Sequence, residues 1–149
     1  MKICIDADGC PVVDLTQEIA KEYNLDVKIF CDSSHNFESK DSEVIMVMKG
    51  QDAVDFELIK YIENGDIIIT QDYGLAAMCL AKGGQVINQN GLIYNNDNIE
   101  QLLHSRHLNS KIRKSGGRVK GPKKRTKSDN DAFEYAFRKL IQLGEMKNA

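Results

Sequence analysis

The sequence contains no stretch approaching the roughly 20 consecutive apolar residues that a membrane-spanning helix needs, which argues against an integral membrane protein. It shows no signal-peptide pattern, because residues 2–5 ("KICI") already read as a strand. Cysteine is sparse: Cys4, Cys10, Cys31 and Cys79 stand far apart, with no CxxC pair and no Cys/His cluster. That argues against a zinc framework or a disulfide scaffold and predicts a reducing, cytoplasmic setting. No internal repeat is visible. Apolar residues, by contrast, are plentiful: 42% of the 149 residues are hydrophobic, enough for the core of one domain and too many for a disordered chain.

Acids are missing from one region. The net charge is −2, yet residues 106–127 ("RHLNSKIRKSGGRVKGPKKRTK") hold ten of the 20 Lys and Arg and none of the 22 Asp and Glu. A basic arm beside an acidic body suits a polyanionic partner, most often nucleic acid; a solvated, mobile loop is the plainer reading. Within it, Arg113, Lys114, Arg118, Lys120, Lys123, Lys124 and Arg125 are candidate phosphate contacts. The Gly116–Gly117 pair reads as a hinge on which that grip closes.

Short β-type runs alternate with helix-like segments. Strands are predicted at 2–5, 26–30, 43–48, 66–70 and 85–88, and helices at 11–23, 51–65, 73–84, 96–107 and 129–143. Pro11 suits a first helical turn and Gly65 a helix C-cap. The nearly unbroken apolar run "DIIIT" marks a strand covered on both faces. The alternation predicts one α/β domain, a three-layer sandwich with a mainly parallel central sheet, and a flexible basic segment at about 106–127.

In such sheets the ligand crevice lies beyond the carboxyl ends of the strands. Asp6 and Asp8 follow the first strand, in "CIDADGC", and Asp72 follows the fourth, in "IIITQDYG". Asp55 falls within the apolar arc that Leu58, Ile59 and Ile62 define on the 51–65 helix, and Asp52 lies at its edge. Carboxylates held close repel one another. A hard divalent cation, Mg²⁺ or Mn²⁺, relieves that repulsion and activates water against a phosphodiester. Local roles compete: Asp8 as cap of the helix near Pro11, Asp52 favoured by the helix dipole, Asp129 and Asp131 as caps of the last helix.

The segments "IDADGCPVV", "DAVDFELI", "DIIITQDYGLA", "NGLIY", "NIEQLLHSRHLNSKIRKSGG" and "DNDAFEYAFRKL" resemble, in order and over nearly the whole length, the YaiI/YqxD family of uncharacterised bacterial proteins. That family is itself similar to PIN-like domains, a fold of metal-dependent ribonucleases. The resemblance implies a PIN-like fold with Asp6, Asp55 and Asp72 as the acids after strand one, in a central helix and after strand four. Two departures weaken metal binding: Phe56 follows Asp55 where a second acid is common, and Tyr73, Gly74 and Leu75 follow Asp72 where a further acid is usual.

Rival readings start from the same residues. "DADGC" is similar to the D-x-D-G-T signature of haloacid-dehalogenase-type phosphatases, with Asp6 as nucleophile, but Cys10 replaces Thr and no late acid pair follows a strand. Cys10 as a nucleophile lacks an Arg in "PVVDLTQ". His35 in "CDSSHNF" reads as turn chemistry, and His104 with His107 as a poor metal pair. The five tyrosines are scattered and offer no stacking platform. Two readings stand: a Mg²⁺/Mn²⁺-dependent nuclease acting on RNA or single-stranded nucleic acid, with Asp6, Asp55 and Asp72 catalytic and Asp8 and Asp52 as further metal ligands; or a nucleic-acid-binding module that does not cut.

Overall fold

The computed structural model describes residues 1–32, 39, 41–48, 53–117 and 123–147. Asp52, Arg118, Lys120 and the Ser33–Asn36 cluster with His35 lie outside the described residues. The elements run β1 (Ile3–Asp6), α1 (Val13–Glu22), β2 (Val27–Asp32), β3 (Glu43–Val47), α2 (Ala53–Tyr61), β4 (Ile67–Ile69), α3 (Tyr73–Ala81), β5 (Gln85–Ile87), β6 (Ile93–Tyr94), α4 (Asn96–Lys114) and α5 (Lys127–Lys147). The strands form one sheet in the order β3-β2-β1-β4-β5-β6. Every pairing is parallel except that of β5 with β6.

Alternation along the strands divides the core in two. Ile3 and Ile5 of β1 and Ile67 and Ile69 of β4 meet Ile19 of α1 and Phe133 and Phe137 of α5. Cys4 and Ile68 point the other way, onto Leu58 of α2, Leu75 and Cys79 of α3 and Ile99 of α4. The result is the α/β three-layer sandwich that the sequence predicts. All three β4 residues are 1% exposed or less, so both faces of that strand meet helices and an unbroken apolar run is what it requires. Burying each of these isoleucines contributes about 1.5–3 kcal/mol.

Several local expectations change. Asp8 does not cap α1: Val12 occupies the N-cap position without a side-chain cap bond. The Asp8 carboxylate instead accepts from the Asp32 backbone N–H at the end of β2, at 3.1 Å to Oδ2. α4 continues to Lys114, so the first part of the basic segment is helical. Gly116 and Gly117 close that helix. Gly116 adopts φ +84°, its N–H reaches the Arg113 carbonyl at 3.1 Å, and the Gly117 N–H reaches that of Ile112 at 2.9 Å. Those two bonds make a Schellman cap; the pair locks an end where the sequence suggests a hinge. Gly65 stands beyond α2, which ends at Tyr61, and has φ +91° in the following turn. Asp129 serves the start of α5, accepting from the Thr126 N–H at 2.9 Å.

At the amino ends of the central strands, Asp66 is 3% exposed. It accepts from the Lys2 N–H at 3.0 Å, the Lys2 ammonium at 2.5 Å and the Glu63 N–H at 2.8 Å. A buried carboxylate so fully partnered fastens β1 to β4. No helix among the described residues is long and apolar enough to cross a membrane.

Candidate active site at the carboxyl ends of the strands

The sheet order reverses direction between β1 and β4: the chain leaves β1 for β2 on one side, and β4 begins the other. Such a switch point opens a crevice beyond the strand ends. Asp6 is the last residue of β1, and Asp72 is the N-cap of α3, shortly after β4. One hydroxyl links them. Thr70 donates through Oγ1 to Asp6 Oδ2 at 2.7 Å and accepts from the Asp72 backbone N–H at 3.0 Å.

The two acids are held differently. Burial raises the Asp6 carboxyl from its ordinary 3.8 to about 6; the Thr70 hydrogen bond opposes the rise, and the charges of Asp72 and Asp8 add to it. Asp72 is pinned through Oδ1, which accepts from the Gly74 N–H at 2.8 Å, the Leu75 N–H at 3.2 Å and Arg106 Nη1 at 3.5 Å. The first two bonds are an N-cap. Because all three contacts fall on Oδ1, the carboxylate can turn Oδ2 towards a ligand.

Asp6, Asp8, Gln71, Asp72, Tyr73 and Arg106 line a cavity of about 430 Å³. Asp55 opens elsewhere. It lies half-buried in the first turn of α2 and lines an adjoining cavity of about 340 Å³ with Phe56, Asp72, Gly74, Met78 and Arg106. The three acids that sequence reasoning grouped therefore occupy two neighbouring cavities that share Asp72 and Arg106. Among the described residues, no three His, Cys, Asp or Glu side chains stand close enough to hold one metal ion. A third cavity, about 200 Å³, adjoins the first through Gly9 and Gln71 and is lined also by Lys123 and Arg125. The strand ends thus carry a row of three cavities: Lys123 and Arg125 line one end, Asp6, Asp8 and Asp72 the middle, and Asp55 with Phe56 and Met78 the other end, Arg106 being shared by the last two.

The model of the uncharacterised bacterial YaiI/YqxD family matches residues 4–143. The chain belongs to this family. It is 50% identical over 141 residues to a UPF0178 protein of Exiguobacterium sibiricum, covering 95% of this chain and 96% of the relative. A UPF0178 protein of Clostridium acetobutylicum is 45% identical over 148 residues, covering 98% and 100%. One from Ruminiclostridium cellulolyticum is 49% identical over 142 residues, covering 95% and 93%. No solved structure matches the chain.

The basic residues of this YaiI/YqxD chain divide by use. Arg113 and Lys114 are exposed in the last turn of α4, about 10 Å along the helix axis from Arg106. Lys123 and Lys124 are also exposed. Arg125 is employed internally: its Nε donates to Asn130 at 2.8 Å, Nη1 to Asn90 at 2.6 Å and Nη2 to the Gln89 carbonyl at 2.6 Å. It fastens α5 to the β5–β6 turn. Arg106 is the site residue that sequence reasoning missed as an individual. The only signal was its place on the helix "NIEQLLHSRH", which does not say that α4 packs against α3. Burial pushes the Cys10 thiol up to about 11, so at neutral pH it is not a thiolate nucleophile. His104 and His107 are exposed on α4.

Proposed function

We propose that this chain is a Mg²⁺- or Mn²⁺-dependent phosphodiesterase that acts on single-stranded nucleic acid, RNA before DNA, in the cytoplasm. One observation carries the reading: Asp6, Asp8 and Asp72 line a single open cavity at the switch point, with Arg106 on its wall. The donor set fits the cation. Carboxylate oxygens are the ligands that hard divalent ions choose, and Mg²⁺ keeps most of its waters, needing only one or two carboxylates plus substrate phosphate. A cage of three side chains is not required for that. Asp6 and Asp72 would hold the ion, with Asp8 beside them. When bound, the ion would polarise a phosphate and supply an activated water.

The chain's own groups account for the rest. The Thr70 hydroxyl fixes the Asp6 carboxylate, and the α3 N-terminus fixes that of Asp72. The Arg106 guanidinium answers the charge of a phosphate and, in doing so, exchanges Asp72 for the substrate. Lys123 on one side and Arg113 and Lys114 on the other extend the contact along a strand, giving affinity without sequence reading. Four free cysteines, three of them buried, fit a reducing compartment. Strand-end acids of this kind are also what the PIN-like resemblance implies.

Binding without cleavage is the second reading. It is favoured by the absence, among the described residues, of three side chains placed to share an ion. The experiment is a calorimetric titration with Mn²⁺ of wild type and Asp6→Asn, paired with a cleavage assay on mixed RNA. Metal heat and cleavage that both disappear in the variant support the nuclease. RNA bound equally by both proteins, without metal heat or cleavage, supports the binding module.

A further inference from the structure

The cavity beside Asp55 differs in chemistry from the carboxylate cavity it adjoins. Two of its lining residues are large apolar side chains left in solvent: Phe56 is 61% exposed and Met78 39%. Isolated exposed apolar residues are ordinary on any surface. Here they share one concavity of about 340 Å³ with the Arg106 guanidinium, which also lines the carboxylate cavity. Gly74 lines the same cavity, and an added Cβ there would stand 3.3 Å from Asp72 Oδ1 and 3.8 Å from Arg106 Nη1. A side chain there would crowd the Asp72–Arg106 pair that the two cavities share.

The charges say what the second cavity can accept. Two carboxylates and one guanidinium line it, which leaves no surplus positive charge to hold a second phosphate. A neutral planar group is not, and an exposed phenyl face is a surface on which every nucleobase stacks. Arg106 lines both cavities and is the cation nearest to hand for a phosphate attached to such a base.

We infer that the Phe56 cavity is a nucleobase subsite: one unpaired base stacks on Phe56 against Met78 while its phosphate passes Arg106 into the carboxylate cavity. The inference rests on the nuclease reading for the phosphate and adds the base to it. It specifies single-stranded substrate, because a base within a duplex is paired and stacked on its neighbours and cannot reach a side chain from its face. Phe56 sits where the resemblance to PIN-like nucleases leads one to expect a second acid.

The test uses the full chain with a labelled eight-residue oligoadenylate in Ca²⁺ and, beside it, an abasic ribose-phosphate oligomer of the same length. Phe56→Ala is expected to weaken oligoadenylate binding about tenfold and to leave the abasic oligomer unchanged. The chain has no tryptophan, so Phe56→Trp installs a single reporter whose emission should be quenched as oligoadenylate saturates the protein. Unchanged oligoadenylate affinity in Phe56→Ala, or unmoved Phe56→Trp emission at saturation, overturns the subsite. If Arg106→Gln weakens both oligomers while Phe56→Ala weakens neither, the nuclease reading survives and the base subsite falls. If wild type binds neither oligomer, both fall together.

Discussion

Replacing Asp6 by Asn should make this protein more stable, and only above mildly acidic pH. The fold lifts the Asp6 carboxyl from 3.8 to about 6, chiefly by burying it. Folding therefore disfavours the ionised form. Below about pH 4 the group is protonated in both folded and unfolded chains and costs nothing. Between pH 4 and 6 the penalty grows as pH rises, and above 6 it is constant. A shift of about two units corresponds to roughly 3 kcal/mol at neutral pH. Because the residue sits at a cavity mouth where water enters, about 1.5–3 kcal/mol is the range to expect. Asn keeps an oxygen for the Thr70 hydroxyl, so that bond survives. The melting temperature should rise by roughly 5–10 °C at pH 7.5, and the two proteins should melt together at pH 4. Thermal melts across pH 4–8 by circular dichroism decide it. A variant that melts lower than wild type at pH 7.5, or a difference independent of pH, refutes the placement of Asp6 as a half-buried charge that the fold disfavours. Millimolar Mn²⁺ should narrow the gap by stabilising wild type alone, by about 1.4 kcal/mol at ten times the dissociation constant.

Other perturbations separate site from scaffold. Asp66→Asn should destabilise the chain by about 1–3 kcal/mol, since it removes the charged partner of the half-buried Lys2 ammonium; denaturant melts would show this, and calorimetry should show Mn²⁺ binding intact under folding conditions. Arg106→Gln should weaken oligonucleotide binding and lower the slope of log affinity against log salt by about 1, read by anisotropy at several salt concentrations. Arg125→Gln should lose about 1–3 kcal/mol of stability through its three internal bonds and leave that salt slope unchanged. Asp72→Ala should cost about 1 kcal/mol as a lost cap and abolish any Mn²⁺ heat; retention of the heat would exclude Asp72 as a ligand.

The layers of this fold are legible because each strand states its burial. Three consecutive isoleucines at 67–69 declare a strand covered on both sides, and an acid shortly beyond its end declares the crevice. Asp6 and Asp72 were found in that way. What stayed hidden depends on contacts between segments far apart in sequence. Asp8 reads as a cap because Asp and Pro11 are close in the chain; its actual partner, the Asp32 N–H, is set by the parallel register that puts Asp6 beside Phe30. Arg106 meets Asp72 only because α4 crosses α3. Gly116 and Gly117 look like a hinge until Ile112 and Arg113 are seen to offer their carbonyls. β6 is two residues long and antiparallel, below the length at which alternation can announce a strand. Asp55 follows the apolar arc as the helix wheel says, but the wheel fixes only a direction, and the direction leads to the cavity next door.

The strand order has a consequence for how the protein is made. β1 is synthesised first yet lies in the interior of the sheet, between β2 and β4. It can pair with β2 as soon as the β1–α1–β2 crossover leaves the ribosome, but its other edge stays bare until β4 and the turn at Asp72 have followed. Asp6 and Asp72 can therefore share a cavity only after the second half of the sheet has been made. A nascent chain stalled before residue 66 should carry β1 with one edge bare and lack the Asp72 half of the site.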